Sequence, residues 1–329
     1  MIAGRTRVRS RTVAVALVAL YCTATVVAAE PELQRIRIAT VTTPDLGRFV
    51  QEYRSALGYR LREEGRVPRG LARSWGAPRV ANARYVLLSS HGSPDVFIRG
   101  IEAPAARDYR PLTTFGWNAI ELIVQNPDEQ HAAMRDGPFS VIGEPKFLTG
   151  YPTIRAFQVE GFSGEVLYLT ADTAADRSRS SLPIARSPVD RIFIMVVAGP
   201  DIRALTEWYR SAFALQPGPI REFPIGVLTR AQRLSSDRLL PLTTARLAQH
   251  GNLLEFDGYS ENATARSVRR GYLPPGVAIA TFSVRDLERL PLQFLAAPLR
   301  LSSAGYEGRR AATARGPVGE LIEFIEERP

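Results

Sequence analysis

An internal repeat in the sequence limits the folds that this chain can adopt. The segment YRSALGYR at Tyr53–Arg60 returns as YRSAFALQ at Tyr209–Gln216, 156 residues later. Each segment ends an amphipathic helix pattern that opens on a Pro-Asp pair, at Asp45 and at Asp201. A strand-like run rich in β-branched residues precedes each helix pattern. A unit of strand, acid and helix is therefore encoded at least twice.

Two further copies of this unit follow from the spacing of acids. Asp128 and Asp286 also come directly after strand-like runs, and alternate acids lie 156 and 158 residues apart. The acid recurs once in each unit, and the whole pair of units recurs at a nearly constant spacing. We therefore predict four modules in two pairs, each module with the order β-α-β-β-β. We predict a domain of two modules at residues 32–172, a polar linker at 173–189 and a second domain of two modules at 190–329. Each domain is expected to curl the strands of its two modules into one open, cup-shaped sheet.

The N-terminus has the pattern of a secretory signal peptide at residues 1–29. Four Arg residues precede an apolar run at Val13–Leu20, and small residues come before Glu30. We expect cleavage near Ala29, a secreted or periplasmic mature protein and no stable membrane span after cleavage. The alternative is an uncleaved anchor, because Val13–Ala29 is almost long enough to cross a bilayer.

Charge and cysteine content exclude several classes of function. Removal of residues 1–29 lowers the formal net charge from +9 to about +5, and the remaining Arg residues are scattered among acids. Nucleic-acid binding is therefore not expected. The single cysteine, Cys22, lies in the predicted signal peptide, so the mature chain has neither a disulfide nor a thiol nucleophile.

The motifs of the modules resemble those of a known superfamily. The stretch PDLGRFVQEYRSALGY at Pro44–Tyr59 and the turn-strand stretches GFSGEVLYLT and GPVGELIEFI are similar to segments of the vicinal oxygen chelate superfamily. This superfamily includes glyoxalase I, bleomycin-resistance and fosfomycin-resistance proteins, and extradiol dioxygenases. The resemblance covers nearly all of residues 35–327. It implies an α+β fold in which four βαβββ modules pair into two open-barrel cups.

The resemblance also implies a divalent metal at a cup floor, held mainly by His and Glu of first and last strands. The corresponding positions in this sequence are Ile38, Arg99, Glu121, Tyr168, Ile194, Glu255, Ile279 and Glu323. None is His, and imidazole or thiolate donors are what zinc, iron and nickel sites prefer. We therefore expect no tightly bound metal and no other cofactor. The alternative is a labile divalent metal on Glu255 and Glu323.

Glu121 is the first candidate for catalysis. It interrupts the apolar strand NAIELIV, and a buried carboxylate there needs a partner or a proton. The resemblance implies that Arg99 and Tyr168 face the same cup. We predict that Glu121 is a general base, that Arg99 holds an anionic substrate group and that Tyr168 donates a hydrogen bond. The alternative is a structural Glu–Arg pair.

Glu255 and Glu323 form a second candidate centre. Two carboxylates on one apolar floor raise at least one pKa and can act as an acid–base pair. The alternative is that one or both side chains point outward, because a register error of one residue reverses every side chain. The candidate substrate-binding residues are Trp117, His91 and His250, of which Trp117 has the core as its alternative position.

These residues leave three functions open. The first is an exported lyase or isomerase that transfers a proton on a small hydrophobic carbonyl or aromatic compound. The second is a binding protein that sequesters a small molecule without catalysis. The third is a metal-dependent dioxygenase or lyase, which the shortage of His disfavours. The expected partner is a small molecule, and the chain is expected to be a monomer or a homodimer.

Overall fold

The computed structural model describes Met1, residues 30–106 and residues 108–327. Apart from Met1, the predicted signal peptide lies outside the described residues. Among the described residues, no helix combines the length and the apolar character that a membrane crossing requires.

The first half of the described chain contains eight strands and three helices. They are β1 (Leu33–Thr43), α1 (Leu46–Leu57), β2 (Arg60–Arg66), α2 (Arg69–Ser74), β3 (Arg84–Ser89), β4 (Phe97–Glu102), β5 (Gly116–Val124), α3 (Pro127–Met134), β6 (Ser140–Leu148), β7 (Tyr151–Glu160) and β8 (Val166–Asp172). A 3₁₀ turn at Pro78–Val80 follows α2.

The second half repeats this order with eight strands and two helices. They are β9 (Val189–Gly199), α4 (Ile202–Phe213), β10 (Arg221–Phe223), α5 (Gly226–Ala231), β11 (Leu240–Arg246), β12 (Leu253–Gly258), β13 (Gly276–Val284), β14 (Leu299–Arg300), β15 (Arg310–Arg315) and β16 (Leu321–Glu326). In the fourth module the predicted helix after Asp286 is reduced to a 3₁₀ turn at Leu287–Arg289.

The acids that open the modules cap the helices in three of four cases. The Asp45 side chain accepts a hydrogen bond from a backbone N–H of α1, and Asp201 does the same for α4. Asp286 caps the short turn that follows it. In the second module the cap is instead Asn126, two residues before Asp128.

The sixteen strands form two curled sheets of eight, which confirms the predicted fold of four modules in two open cups. The first sheet has the order β14-β15-β16-β13-β1-β4-β3-β2, and the second has the order β10-β11-β12-β9-β5-β8-β7-β6. The first sheet thus joins modules one and four, and the second joins modules two and three. The expectation that successive modules share a cup is wrong.

The reason is the free edge of each first strand. Strand β1 pairs in parallel with β4 of its own module, and its other edge pairs antiparallel with β13. Likewise β5 pairs with β8 and, across the module boundary, with β9. The repeated sequence shows which strands are buried. It does not show which of the other three modules supplies the first strand that pairs with a given free edge.

Three apolar clusters occupy the described part of the molecule. The largest draws residues from both sheets and from α1, α3 and α4, so it packs the two sheets together. A second cluster covers the remaining face of the first sheet and contains Ile38 and Ile279. A third covers the remaining face of the second sheet and contains Ala119 and Ile194. We call these two faces the first cup and the second cup.

The repeated helix and the repeated turn contact each other. The hydroxyl of Tyr53 in α1 donates to Glu165 Oε1 at 3.3 Å, and that of Tyr209 in α4 donates to Glu320 Oε1 at 2.8 Å. Each carboxylate curls over the first glycine of its turn: a Cβ on Gly161 would lie 2.3 Å from Glu165 Oε1. Modules one and two, and modules three and four, are therefore joined by a tyrosine–glutamate contact although they do not share a sheet.

Candidate functional site

The floor of the first cup is a closed network around one carboxylate. Glu323 of β16 has no exposed surface, and its Oε2 accepts hydrogen bonds from Arg99 at 3.0 Å and from Thr281 at 2.7 Å. Its Oε1 accepts from the Trp75 indole and from the Tyr306 hydroxyl, both at 2.7 Å. Four donors thus saturate the carboxylate, which is what a buried charge requires.

The partner cation in the first cup is equally enclosed. The Arg99 guanidinium donates to Thr40 at 2.9 Å and to Tyr306 at 2.5 Å, and it lies 4.6 Å from the ring centroid of Trp75. Burial and the neighbouring carboxylate raise the pKa of the Tyr306 hydroxyl well above its usual value. A crevice of about 410 Å³ lies above Trp75 and Tyr306, and Glu323 is not among its lining residues. Glu63, which lines this crevice, accepts hydrogen bonds from the Tyr85 hydroxyl and the Ala304 N–H. Neither Glu323 nor Glu63 is therefore free to react with a bound molecule.

The second cup is open, and among the described residues no Lys or Arg forms a salt bridge or hydrogen bond with Glu121, Glu255 or Asp257. A cavity of about 380 Å³ is lined by Glu121 of β5, by Glu255 and Asp257 of β12 and by Tyr168 of β8. Glu121 lies directly opposite Tyr168 in the sheet. Glu255 and Asp257 are two residues apart on one strand, so both side chains project on the same face.

Hydrogen bonds to these acids are sparse. Glu121 accepts a single bond in the described structure, from the Thr170 hydroxyl to its Oε2 at 3.1 Å. Asp257 is 2% exposed, and its Oδ1 has no hydrogen-bond partner among the described residues. Glu255 is less enclosed and partly exposed to the cavity. A buried hydrogen-bond acceptor without a donor destabilises the folded state, so these acids either bind protons or accept hydrogen bonds from a ligand.

The electrostatics of the second cup favour the neutral acids. Burial raises the pKa of Glu255 to about 7. Burial and the charge of Glu255 raise the pKa of Glu121 and that of Asp257 well above their usual values. Burial and the same acids also raise the pKa of Tyr168. Near neutral pH, Glu255 is therefore divided between its two forms beside a phenol and two acids whose pKa values are also raised, which is a set able to accept and donate protons.

Comparison with known proteins agrees with this architecture. No sequence model of a known family matches the chain, and no curated protein matches it. The solved glyoxalase I of Zea mays is similar with a TM-score of 0.60 at 13% identity, over 89% of this chain and 92% of that one. A Bacillus subtilis protein proposed to be a dioxygenase has a TM-score of 0.57 at 12% identity, over 92% of this chain and 87% of that one. The chain has the vicinal oxygen chelate fold. At such identities the likeness shows the fold and not the reaction.

The metal-ligand positions of the vicinal oxygen chelate fold do not suit a transition metal here. In the second cup they hold Glu121, Tyr168, Ile194 and Glu255, and in the first cup they hold Ile38, Arg99, Ile279 and Glu323. Neither set contains an imidazole. Glu255 and Glu323, the pair expected to hold a labile ion, lie in different sheets. That expectation is wrong, because the module pairing separates them.

The structure regroups the predicted catalytic residues. Glu121 and Tyr168 share a cup as expected, but Arg99 lies in the other cup and pairs with Glu323. The alternative of a structural Glu–Arg pair is thus realised with Glu323 in place of Glu121. The predicted pairing of Glu255 with Glu323 is replaced by a grouping of Glu255 with Glu121.

The predicted substrate-binding residues line neither cavity. Trp117 is buried in the cluster between the sheets, where its indole donates to the Leu321 carbonyl at 2.8 Å. A register shift in β5 between Trp117 and Ala119 turns this side chain away from the cup. His91 lies exposed in the turn before β4, and the exposed His250 contacts the Ser180 carbonyl at 2.9 Å. These three assignments are wrong.

Asp257 is the site residue that sequence reasoning missed. It follows Glu255 by two residues in the strand LLEFDG, and a strand of period two places both on one face. An acid on each of two same-face positions in an otherwise apolar strand was the available signal.

Proposed function

We propose that the protein is a lyase or isomerase that transfers a proton on a small hydrophobic carbonyl or aromatic compound in the second cup. The observation that supports this most is the contrast between the cups. One has a saturated carboxylate, and the other has three under-bonded acids and a tyrosine around a cavity of about 380 Å³. A cavity of this volume is in the range of small-molecule sites.

Glu255 is the proposed general base. It is the acid most exposed to the cavity, and its pKa of about 7 lets it hold or release a proton near neutral pH. It removes a proton from carbon next to a carbonyl group, which leaves the electron pair on an enolate. Protonated Glu121, protonated Asp257 and the Tyr168 hydroxyl donate hydrogen bonds to the enolate oxygen. Return of the proton to another carbon completes an isomerisation.

The activity is testable without knowledge of the natural substrate. The purified protein is incubated in D₂O with a panel of aryl ketones and 2-hydroxycarbonyl compounds, and loss of the α-proton is followed by NMR. We expect exchange above the buffer rate for at least one compound, and a decrease of roughly 10²- to 10⁴-fold in the Glu255→Gln variant. Glu64→Gln, an exposed substitution on β2, is the matched control and keeps the wild-type rate. Exchange that survives in Glu255→Gln contradicts the proposed mechanism.

A second candidate function is sequestration of a small molecule without catalysis. The predominantly apolar lining of the same cavity, with Phe193 and Val227 among its residues, favours this alternative. Tight binding of a compound whose protons do not exchange identifies a binding protein rather than an enzyme.

We also propose that the chain is exported. The basic and apolar pattern of residues 1–29 supports this proposal. N-terminal sequencing of the protein from the periplasm or medium of a bacterial host tests it, and a first residue near Glu30 is expected. A cytoplasmic protein that retains Met1 contradicts it.

A further inference from the structure

The acids of the second cup face a cavity whose enclosed part offers them no positive charge. The charges that act on the pKa of Glu121 are those of Glu255 and Asp257, and both raise it. Lys146 and Arg179 also line the cavity, but both are exposed side chains at its opening. The first cup has the opposite arrangement, with Arg99 directly on its carboxylate at 3.0 Å. The second cup thus lacks the cation that its counterpart contains.

Asp257 has a buried oxygen at the floor that no described residue pairs with. Its side chain is 2% exposed and lines the cavity, and its Oδ1 has no hydrogen-bond partner among the described residues. Such an acceptor is normally paired in a folded protein. A ligand that donates a hydrogen bond at this point removes the penalty, and a donor with a positive charge removes it most effectively.

The spacing of the three acids does not suit a metal ion. Among the described residues, the only set of three acidic, His or Cys side chains whose ligand atoms lie within 4.8 Å of one another is Asp286, Glu288 and Glu326. That set is on the surface, and Arg310 already binds two of its members. The three acids of the second cup are not gathered around one point, as a metal ion requires. An ammonium group on a flexible chain can approach them individually.

Beside Lys146 and Arg179, apolar and aromatic side chains lie at the opening of the cavity. The start of β7 contributes Tyr151 and Pro152, and the segment around β10 contributes Phe223 and Ile225. The rings of Tyr151 and Phe223 lie 6.3 Å apart between centroids. A hydrophobic body is therefore accommodated at the mouth while a polar end reaches the floor.

We propose that the molecule bound in the second cup is a hydrophobic amine whose ammonium group displaces the protons of Asp257 and Glu121 and binds their carboxylates, with its apolar body packed against Tyr151 and Phe223. This inference rests on the proposed function for the location of the site and narrows the substrate to a carbonyl or aromatic compound that carries an amino group. In that complex Tyr168, which lines the same cavity, is the donor to the enolate oxygen. Glu255 remains the base, because it is the acid nearest to solvent in the cavity and is not needed to hold the cation.

Three probes with one skeleton test the inference by isothermal titration calorimetry at pH 7.5. They are 3-phenylpropylamine, 3-phenylpropan-1-ol and 3-phenylpropanoate. The amine is charged at this pH, since alkylammonium pKa values lie near 10. We expect the ammonium to bind at least about tenfold more tightly than the alcohol, and the carboxylate to bind most weakly. Equal affinities, or tightest binding of the carboxylate, overturn the inference.

Variants locate the cation. Asp257→Asn lowers the affinity for the ammonium about tenfold and leaves that for the alcohol unchanged, and Glu121→Gln is a second variant with the same expectation. Glu64→Gln leaves all affinities unchanged. Thermal unfolding of each variant verifies that it folds. If both floor variants keep the wild-type preference for the ammonium, the proposed position is wrong. Stoichiometric Mn²⁺ binding that Asp257→Asn abolishes assigns the acids to a metal ion and also overturns the inference.

The proton-exchange assay separates this inference from the proposed function. Exchange of neutral carbonyl compounds without preference for the ammonium contradicts the inference and supports the function. Preference for the ammonium with no exchange of any amine or carbonyl compound supports the inference and contradicts the function.

Discussion

The two cups have the same architecture and opposite electrostatics. In the first, Glu323 accepts four hydrogen bonds and lies beside Arg99, so every charge on the floor is compensated within the protein. In the second, Glu121 has one hydrogen bond and Asp257 has an oxygen without a donor in the described structure. Compensated charge stabilises one arrangement of the fold, whereas uncompensated charge remains available to a ligand.

This difference suggests that one copy of a duplicated fold stabilises the protein while the other keeps groups that can react. Burying a carboxylate without a partner destabilises the folded state, so such a group persists only where its removal has another cost. Trp75 and Tyr306 fill the first cup with aromatic side chains that also donate hydrogen bonds. These side chains separate Glu323 from the crevice of the first cup, whereas Glu121, Glu255 and Asp257 line the cavity of the second cup directly. The first floor therefore has a stabilising role, and the second floor is the site that we propose for the reaction.

The greatest loss of stability is expected when the carboxylate at the floor of the first cup is removed. Glu323→Ala leaves Arg99 buried without its carboxylate, and we expect the free energy of unfolding to fall by about 3–5 kcal/mol. Urea denaturation at pH 7 measures it. Glu255→Gln in the second cup is the matched comparison, and it is expected to change the free energy of unfolding by less than about 1 kcal/mol. Equal losses for both variants contradict the division between the cups.

An effect of intermediate size is expected for the second cup, in the way the free energy of unfolding depends on pH. The pKa of Glu255 rises on folding from 4.5 to about 7, so the folded state binds more protons than the unfolded state in this window. The stabilisation is present below pH 4.5 and is lost as the pH rises to about 7. We expect Glu255→Gln to reduce the loss between pH 5 and pH 8 by about 1–2 kcal/mol, since partial exposure weakens the full effect.

Denaturation curves at several pH values check this prediction, with the exposed substitution Glu64→Gln as control. Glu165, whose pKa burial raises to about 8, contributes in the same direction in every variant and cancels in the comparison. A Glu255→Gln profile that is parallel to that of the wild type shows that the second cup does not titrate in this range.

The smallest expected effect compares one hydrogen-bond donor in each cup. Trp75→Phe removes one of four donors to Glu323, and the free energy of unfolding is expected to fall by about 1 kcal/mol. Tyr168→Phe removes a hydroxyl that faces the second cavity, with an expected change below about 0.5 kcal/mol and a reduced rate of proton exchange. Thermal unfolding and the exchange assay measure the two. A larger loss of stability for Tyr168→Phe reverses the assignment.

The sequence predicted much of the fold because the relevant signals are local. The helix stripes, the capping acids Asp45 and Asp201 and the glycine turns are each read within a dozen residues. Glu121 was identifiable as a buried acid from the apolar strand around it, and its burial is confirmed at 5% exposure. The site was predicted less completely: Asp257 was missed, and Trp117 was assigned to a cup from which a register shift in β5 removes it.

Four modules, their main strands, the helices of the first three and the burial of Glu121 follow from the sequence, because periodicity and turn chemistry act over short distances. Only the tertiary structure decided that module one pairs with module four and module two with module three. That choice placed Arg99 beside Glu323 and left Glu121 with Glu255 and Asp257. The physical reason is that each first strand presents a similar free edge, and which edge joins which depends on packing across the whole molecule.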